Sequence, residues 1–314
     1  MKLIDLHSDT IYQLWKTRDH SLLHNPERHI DLECLKKADS LVQCFALFND
    51  DLYPDTFVSW LEFVDFYKSV LADYPDKANL ILNYADIERT RNEGKVGIMM
   101  TVEDARICLG DLDRLNIMYE RGVRMASLCW NGETCFCYPN SADPKLHMLG
   151  LKPLGREAVE RINDLGMVFD VSHLNRGGTL EALSISKKPV IASHSNARAV
   201  TEQQRNLTDE EIRGIAASGG VIGVNFCPEF LSSDGEADFE KTEKHIAYLA
   251  KVGGDGVVAI GTDFDGFHHP HQGVHEVSEM PLLAEALRKM GYKESFIEGL
   301  YYKNALRVFK EVLK

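Results

Sequence analysis

"VGIMMTVED", residues 96–104, is the stretch on which the fold turns. It runs apolar from Val96 to Val102, broken only by a glycine and a threonine, and stops at two adjacent carboxylates, Glu103 and Asp104. A strand with one wet face would alternate polar and apolar residues. A near-continuous apolar run is what a strand covered on both faces requires, as in a parallel sheet. Working outward, runs of the same kind, rich in Val and Ile, occupy 2–8, 41–48, 123–130, 166–172, 189–193, 221–226 and 257–262. Helical stripes separate them. Phe57, Trp60, Leu61, Val64, Tyr67 and Leu71 form one. Leu154, Ala158, Ile162 and Leu165 form another, stopped by Gly166 as a C-cap. "TDEE" at 208–211 reads as a capping box ahead of Ile212 and Ile215. Eight strand–helix alternations predict an α/β fold, a (β/α)8 TIM barrel. The pattern shows no repeat, linker or compositional break, so residues 1–314 are expected to form one barrel domain. A doubly wound open sheet is the alternative, and no G-x-G-x-x-G follows the first run to support it.

Composition narrows the function. The chain has 314 residues, 44% hydrophobic and 26% charged, as in globular proteins. A formal net charge of −13 argues against a nucleic-acid or anionic-membrane partner. No apolar run approaches the ~20 residues of a membrane span. "MKLIDLHSDT" lacks the apolar core of a signal peptide, and "NALRVFKEVLK" reads as an amphipathic helix rather than an anchor signal, so a cytoplasmic protein is expected. The seven cysteines are scattered without a C-x-x-C and read as reduced thiols; Cys135 and Cys137 are the one close pair.

In a parallel barrel, chemistry collects at the C-terminal ends of the strands. There the first run presents His7 and Asp9, two residues apart and so on one face if the strand continues. The third ends in Glu103 and Asp104, the fifth in His173 and the sixth in His194. The seventh carries Asn225, and the eighth ends in Asp263 and Asp265. Singly, each has a plain structural reading: a hydrogen-bonded histidine, a helix-starting carboxylate, a turn aspartate. Together, three histidines and several carboxylates on one rim point to a metal site. Nitrogen and oxygen donors without thiolate suit Zn²⁺, with Mn²⁺ or Co²⁺ as substitutes. Five ligands exceed the usual three of a single catalytic zinc and suit two ions, with Glu103 bridging. Two ions would share a hydroxide and polarise a carbonyl, which points to hydrolysis.

Six motifs then carry a resemblance: "DLHSDT" (5–10), "VED" (102–104), "FDVSH" (169–173), "SHSNAR" (193–198), "RN" (205–206) and "GTDFDG" (261–266). In this order and spacing they resemble the membrane (renal-type) dipeptidases, peptidase family M19, over essentially the whole chain. The resemblance implies a zinc-dependent barrel that hydrolyses dipeptides, commonly accepting a D-residue at the C-terminal position, through a metal-bridging hydroxide. It implies that His7 and Asp9 hold one zinc, His173 and His194 the second, and that Glu103 bridges both. It implies that Arg205 binds the substrate carboxylate, and that Asp263 meets the substrate amine and handles a proton. Arg205 has no other signal in the sequence. Characterised animal relatives carry a histidine after the fourth strand, where this chain has Trp130 and Asn131, so these two are candidate substrate contacts. A homodimer is compatible with the resemblance.

Two rivals remain. Other binuclear barrel amidohydrolases usually show H-x-H on the first strand and a carboxylated lysine on the fourth; this chain has H-S-D and no such lysine. A non-catalytic metal- or peptide-binding barrel would not need a complete ligand set. "GFHHPHQGVH", with His268, His269, His271 and His275, is expected to form a flexible rim rather than a second metal patch. The long loop 131–152 is expected to shape the substrate pocket.

Overall fold

The computed structural model describes residues 1–23, 25, 27–48, 56–268 and 271–314. Its strands are β1 (Leu3–Asp5), β2 (Ser40–Phe48), β3 (Ala78–Leu80), β4 (Val96–Glu103), β5 (Val123–Ser127), β6 (Val168–Asp170), β7 (Val190–Ile191), β8 (Ile222–Val224) and β9 (Val258–Ile260). Every pairing between them is parallel. Eight strands follow one another in the order β7-β6-β5-β4-β2-β1-β9-β8, and β3 pairs with β4 off this path. The ring nearly closes between β7 and β8, where Ala192 bridges Ile222. This is the (β/α)8 barrel that the apolar runs predict.

The eight predicted runs are all present, and most are shorter than expected. The first ends at Asp5, so His7 and Asp9 lie beyond the strand. The chain still runs beside the end of β9 there, because Asp263 N–H donates to the His7 carbonyl (3.1 Å) and Asp9 N–H to that of Phe264 (2.9 Å). Strand β3 was not expected. It pairs with the first residues of β4, Ala78 opposite Val96 and Leu80 opposite Ile98, before β5 takes over that edge at Met100. Three residues are too few for a periodic signal.

The barrel interior below the site is apolar. Ile4, Leu6, Val42, Cys44, Met99, Met125, Val168, Ile191 and Ala259 form one cluster with Val308, Phe309 and Val312 of the final helix, Asn304–Val312. Asn304 Nδ2 donates to the Val258 carbonyl at the start of β9, so this helix covers the end opposite the site. Burying a side chain such as Phe309 stabilises by about 1.5–3 kcal/mol. A second, larger cluster packs the outer helices on the strands and includes Trp60, Val64 and Tyr67 of the predicted stripe. The helix Pro153–Leu165 ends on Gly166 at φ 78°, and Thr208 and Glu211 form the expected capping box. At the β7–β8–β9 seam the backbones approach closely. A Cβ on either Gly223 or Gly261 would run into the Ser193 carbonyl oxygen.

All seven cysteines are free thiols. The histidine-rich stretch departs from expectation at His271. That residue is buried, its ring lies against Phe226 and Phe239, and its Nδ1 accepts from the N–H groups of Gly273 and Val274. Its pairing with Thr242 (2.9 Å) makes it a core anchor rather than part of a rim. His268 and His275 are exposed, and His269 lies outside the described residues.

Candidate metal centre and active site

Parallel strands deliver their last side chains to one end of the barrel, and the predicted residues meet there. Residues 99, 101 and 103 of β4 share a face, so the strand that places Met99 in the core raises Glu103 to its mouth. Glu103 Oε2 lies 3.4 Å from His7 Nε2. Its other oxygen, Oε1, lies 2.8 Å from His173 Nε2 and 3.5 Å from His194 Nε2. His7 Nε2 also lies 3.7 Å from Asp9 Oδ2 and 3.7 Å from Asp263 Oδ1. Three overlapping groups of donor atoms result: His7–Asp9–Glu103, Glu103–His173–His194, and His7–His194–Asp263. All these residues except Asp263 are buried; its carboxylate keeps 15% exposure at the pocket wall.

The "DFDG" turn places Asp263 and Asp265 in left-handed backbone, φ 62° and 65°, a conformation that side chains other than glycine seldom adopt. Gly266 follows because a Cβ there would overlap Asp9 Oδ2 and press on Asp263. Asn225 Nδ2 donates to Asp263 Oδ2 at 2.9 Å. Asp265 is tied to the first loop instead, accepting from Thr10 Oγ1 (2.5 Å) and His29 N–H (2.7 Å).

The electrostatics of the cluster call for cations. Burial alone would lower the pKa of His7, yet the Glu103 charge and the adjacent Asp9 raise it well above its ordinary value. Burial would raise Glu103, but the charge of His7 above all holds it well below the carboxylate range. Burial pushes Asp263 up to about 7; Asp9 and Glu103 add to this, while His7 and the Asn225 amide oppose it. Burial lowers His173 to about 4, helped by Arg205, and holds His194 well below its ordinary value with His7 beside it. His7 Nε2 is buried without a hydrogen-bond partner, and the Nε2 atoms of His173 and His194 face each other at 3.0 Å. An orphaned nitrogen, two opposed nitrogens and a shared carboxylate fit divalent cations. The imidazole–carboxylate donor set suits Zn²⁺, Mn²⁺ or Co²⁺.

Arg205 reaches the same pocket from the loop after β7. It is buried, donates to the Ser172 carbonyl, and places Nη2 at 3.2 Å from His173 Nε2 and 3.4 Å from the His194 carbonyl. Trp130 packs edge-on against Phe48 (4.7 Å between ring centroids), which packs edge-on against Tyr12 (5.0 Å). These three rings wall the mouth on the side of β1, β2 and β5. Asn131 places Oδ1 at 3.2 Å from His173 Nδ1. Eight of the nine predicted site residues therefore line one cavity of about 240 Å³, and the ninth, His7, sits beside it against Glu103. That volume is below the roughly 300–1,000 Å³ of pockets for drug-sized ligands. The sequence reading did not single out Tyr12, Phe48 and Phe230, which also line it. Phe48 had one available signal, its place at the end of an apolar run.

Comparison with known proteins gives the family and the fold. The family model for the membrane dipeptidases (peptidase family M19) matches residues 1–314. A Klebsiella pneumoniae protein encoded 5′ of pqqA is 35% identical over 255 residues, covering 78% of this chain and 93% of the relative. An uncharacterized dipeptidase of Schizosaccharomyces pombe is 30% identical, covering 99% of this chain and 80% of the relative. Among solved structures, a Rhodobacter sphaeroides metallopeptidase liganded with a phosphinate mimic of L-Ala-D-Ala superposes with a TM-score of 0.92. It is 25% identical, and the match covers 99% of both chains. Among the described residues, no helix is long and apolar enough to cross a membrane.

Proposed function

We propose, from the premise that this chain belongs to the membrane dipeptidase family (peptidase family M19), that it is a zinc-dependent dipeptidase acting on L-L and L-D dipeptides at the pocket just described. One observation carries the reading: the single carboxylate of Glu103 reaches His7 with one oxygen and His173 and His194 with the other. On this reading His7, Asp9 and Glu103 hold one Zn²⁺, and Glu103, His173 and His194 hold the second, with Mn²⁺ or Co²⁺ as substitutes. Bound there, the cations supply Lewis-acid activation of water and of the scissile carbonyl.

The chain's own groups do the rest. Arg205, donor-only and always charged, takes the substrate's free carboxylate. Asp263, across the cavity on the β9 side, takes the free amine and carries a proton to the amine that leaves; a carboxyl held near neutrality can do both. The separation of these two groups admits a dipeptide and rejects longer or N-blocked peptides. Trp130 with Phe48 gives an apolar surface for a substrate side chain, and Asn131 lines the pocket beside it. The phosphinate dipeptide mimic on the Rhodobacter relative supports acceptance of a D-residue. The same reading takes residues 1–314 as one catalytic domain, in a cytoplasmic protein that can pair as a homodimer.

The test joins metal content to turnover. Elemental analysis should find about two zincs per chain. The loaded protein should hydrolyse L-L and L-D dipeptides and leave tripeptides and N-acetyl dipeptides intact. Two zincs without turnover of any dipeptide would overturn the activity while keeping the site.

A further inference from the structure

We infer that Asn131 and the Ser193–Asp170 pair are positioning residues that fix His173 and His194 in one tautomer, so that both Nε2 lone pairs face Glu103 before any cation arrives. This rests on the cation-binding reading of the site and not on the identity of the substrate.

Two independent chains of hydrogen bonds set these tautomers. A guanidinium can only donate. Arg205 Nη2, 3.2 Å from His173 Nε2, therefore makes that nitrogen the acceptor. A neutral imidazole then carries its hydrogen on Nδ1, which donates to Asn131 Oδ1 at 3.2 Å. For His194 the constraint comes from a carboxylate. Asp170 Oδ2 accepts the hydroxyl hydrogen of Ser193 at 2.5 Å. With that hydrogen committed, Ser193 Oγ accepts from His194 Nδ1 at 2.8 Å. His194 Nε2 is left bare, 3.0 Å from His173 Nε2 and 3.5 Å from Glu103 Oε1.

Both supports are themselves held. Asp170 is buried and accepts three further bonds, from Ser193 N–H (2.9 Å), Ser172 N–H (3.0 Å) and Ser172 Oγ (2.6 Å). Asn131 sits on a loop whose turn is closed by Thr134, which donates from Oγ1 to the Leu128 carbonyl and accepts from the N–H groups of Phe136 and Cys137. The same loop clasps the His173 backbone, because Asn140 N–H donates to its carbonyl at 2.9 Å.

The result is an edge of three acceptors, two imidazole nitrogens and a carboxylate oxygen, with no hydrogen among them except those Arg205 offers. In the cation-free protein Arg205 supplies the positive charge that such an edge needs. This gives Asn131 a task that its sequence position alone did not reveal: it orients a ligand-type histidine from behind. It also gives a role to Asp170 and Ser193, which the dipeptidase scheme leaves unused. Outer partners of this kind typically alter metal affinity by about 10–100-fold.

The experiment uses the full chain stripped of metal and titrated with Zn²⁺ alone against a chromophoric chelator, with no substrate present. Alongside it, long-range ¹H–¹⁵N correlation on histidine-labelled protein reads the tautomers. Metal-free wild type should show Nδ1–H for both histidines. N131L and S193A should each weaken one of the two Zn²⁺ sites by about 10–100-fold, while N131D, which keeps the acceptor, stays within a few-fold of wild type. N131L lies at the pocket wall and guards against S193A failing to fold. Wild-type affinity in N131L, or Nε2–H in the metal-free spectrum, would overturn the inference. A wild-type chain that binds no Zn²⁺ would overturn it together with the site. Intact Zn²⁺ binding with the expected losses, but no dipeptide turnover, would leave it standing and sink only the activity.

Discussion

Acidification from pH 7 to pH 5 should remove about 2 kcal/mol of folding stability through His245 alone. This histidine lies on the helix Phe239–Gly253, fully buried, behind the segment that carries His194. Its Nδ1 accepts from Ala197 N–H at 3.1 Å, and its Nε2–H donates to the Leu231 carbonyl at 3.0 Å. Thr201 cannot relieve a second ring proton, because its hydroxyl lies on the other side of the ring, 3.3 Å from Nε2, and donates to the Leu231 carbonyl (2.8 Å). Protonating Nδ1 would set one N–H against another. Burial lowers His245 from 6.5 to about 4, the Leu231 carbonyl opposing it slightly. The folded pKa lies below the unfolded one, so the unfolded chain binds the proton first. Stability is full above pH 6.5 and falls as the pH drops from there toward 4. At about 1.36 kcal/mol per pH unit, the 1.5 units between 6.5 and 5 give about 2 kcal/mol, and the whole gap about 3.4. Urea unfolding of metal-free wild type and H245Q at pH 7 and pH 5 isolates the term, since other groups cancel in the difference. A pH dependence in H245Q equal to that of wild type within 0.5 kcal/mol, roughly the additivity error for independent sites, would refute the reasoning.

Three further outcomes are expected. E103Q removes the negative charge shared by three histidines. Breaking such a buried charge cluster costs about 3–5 kcal/mol, so cation affinity should fall on the order of 10³-fold, read as metal per chain after dialysis. R205M should lower kcat/KM for free dipeptides about 10–100-fold, the worth of charge-assisted hydrogen bonds at about 1.5–3 kcal/mol, and should narrow the preference over C-terminal amides. G223A places a methyl against the Ser193 carbonyl and should lower the urea midpoint by the equivalent of about 1–3 kcal/mol, whatever its effect on metal binding.

Much of this architecture can be read from the residues because parallel strands must be apolar on both faces, which makes all eight runs visible without an alignment. The same geometry explains why His7, Glu103, His173, His194 and Asp263 were legible: one such residue closing an apolar run has a plain structural reading, but ligand types closing five runs on one rim do not. Arg205 has no such signature. It enters from a loop, and in "TEQQRNLTDE" it looks like any solvated arginine; only the ordered set of motifs pointed to it. Asp170 and Ser193 were hidden by standing inside runs that read as core, where one polar residue is averaged away. His271 was misjudged because exposed and buried histidines look alike in a polar stretch. Its burial depends on Phe226 and Phe239, which come from distant elements.

The weakest joint of the hoop lies directly beneath the chemistry. Between β7 and β8 the ring is held by the Ala192–Ile222 bridge and the neighbouring amides of Ala192, Gly223 and Ser195. A hoop opens where it has fewest staves pinned, and His194 stands one residue from Ser195 on that joint. Two cations sharing Glu103 would tie His194, beside β7, to His7, just beyond β1 and two strands from β8, across the mouth of the open ring. Slow amide exchange at 192, 195 and 223 would then depend on loading, so the occupancy of the centre could be followed from the backbone without any substrate.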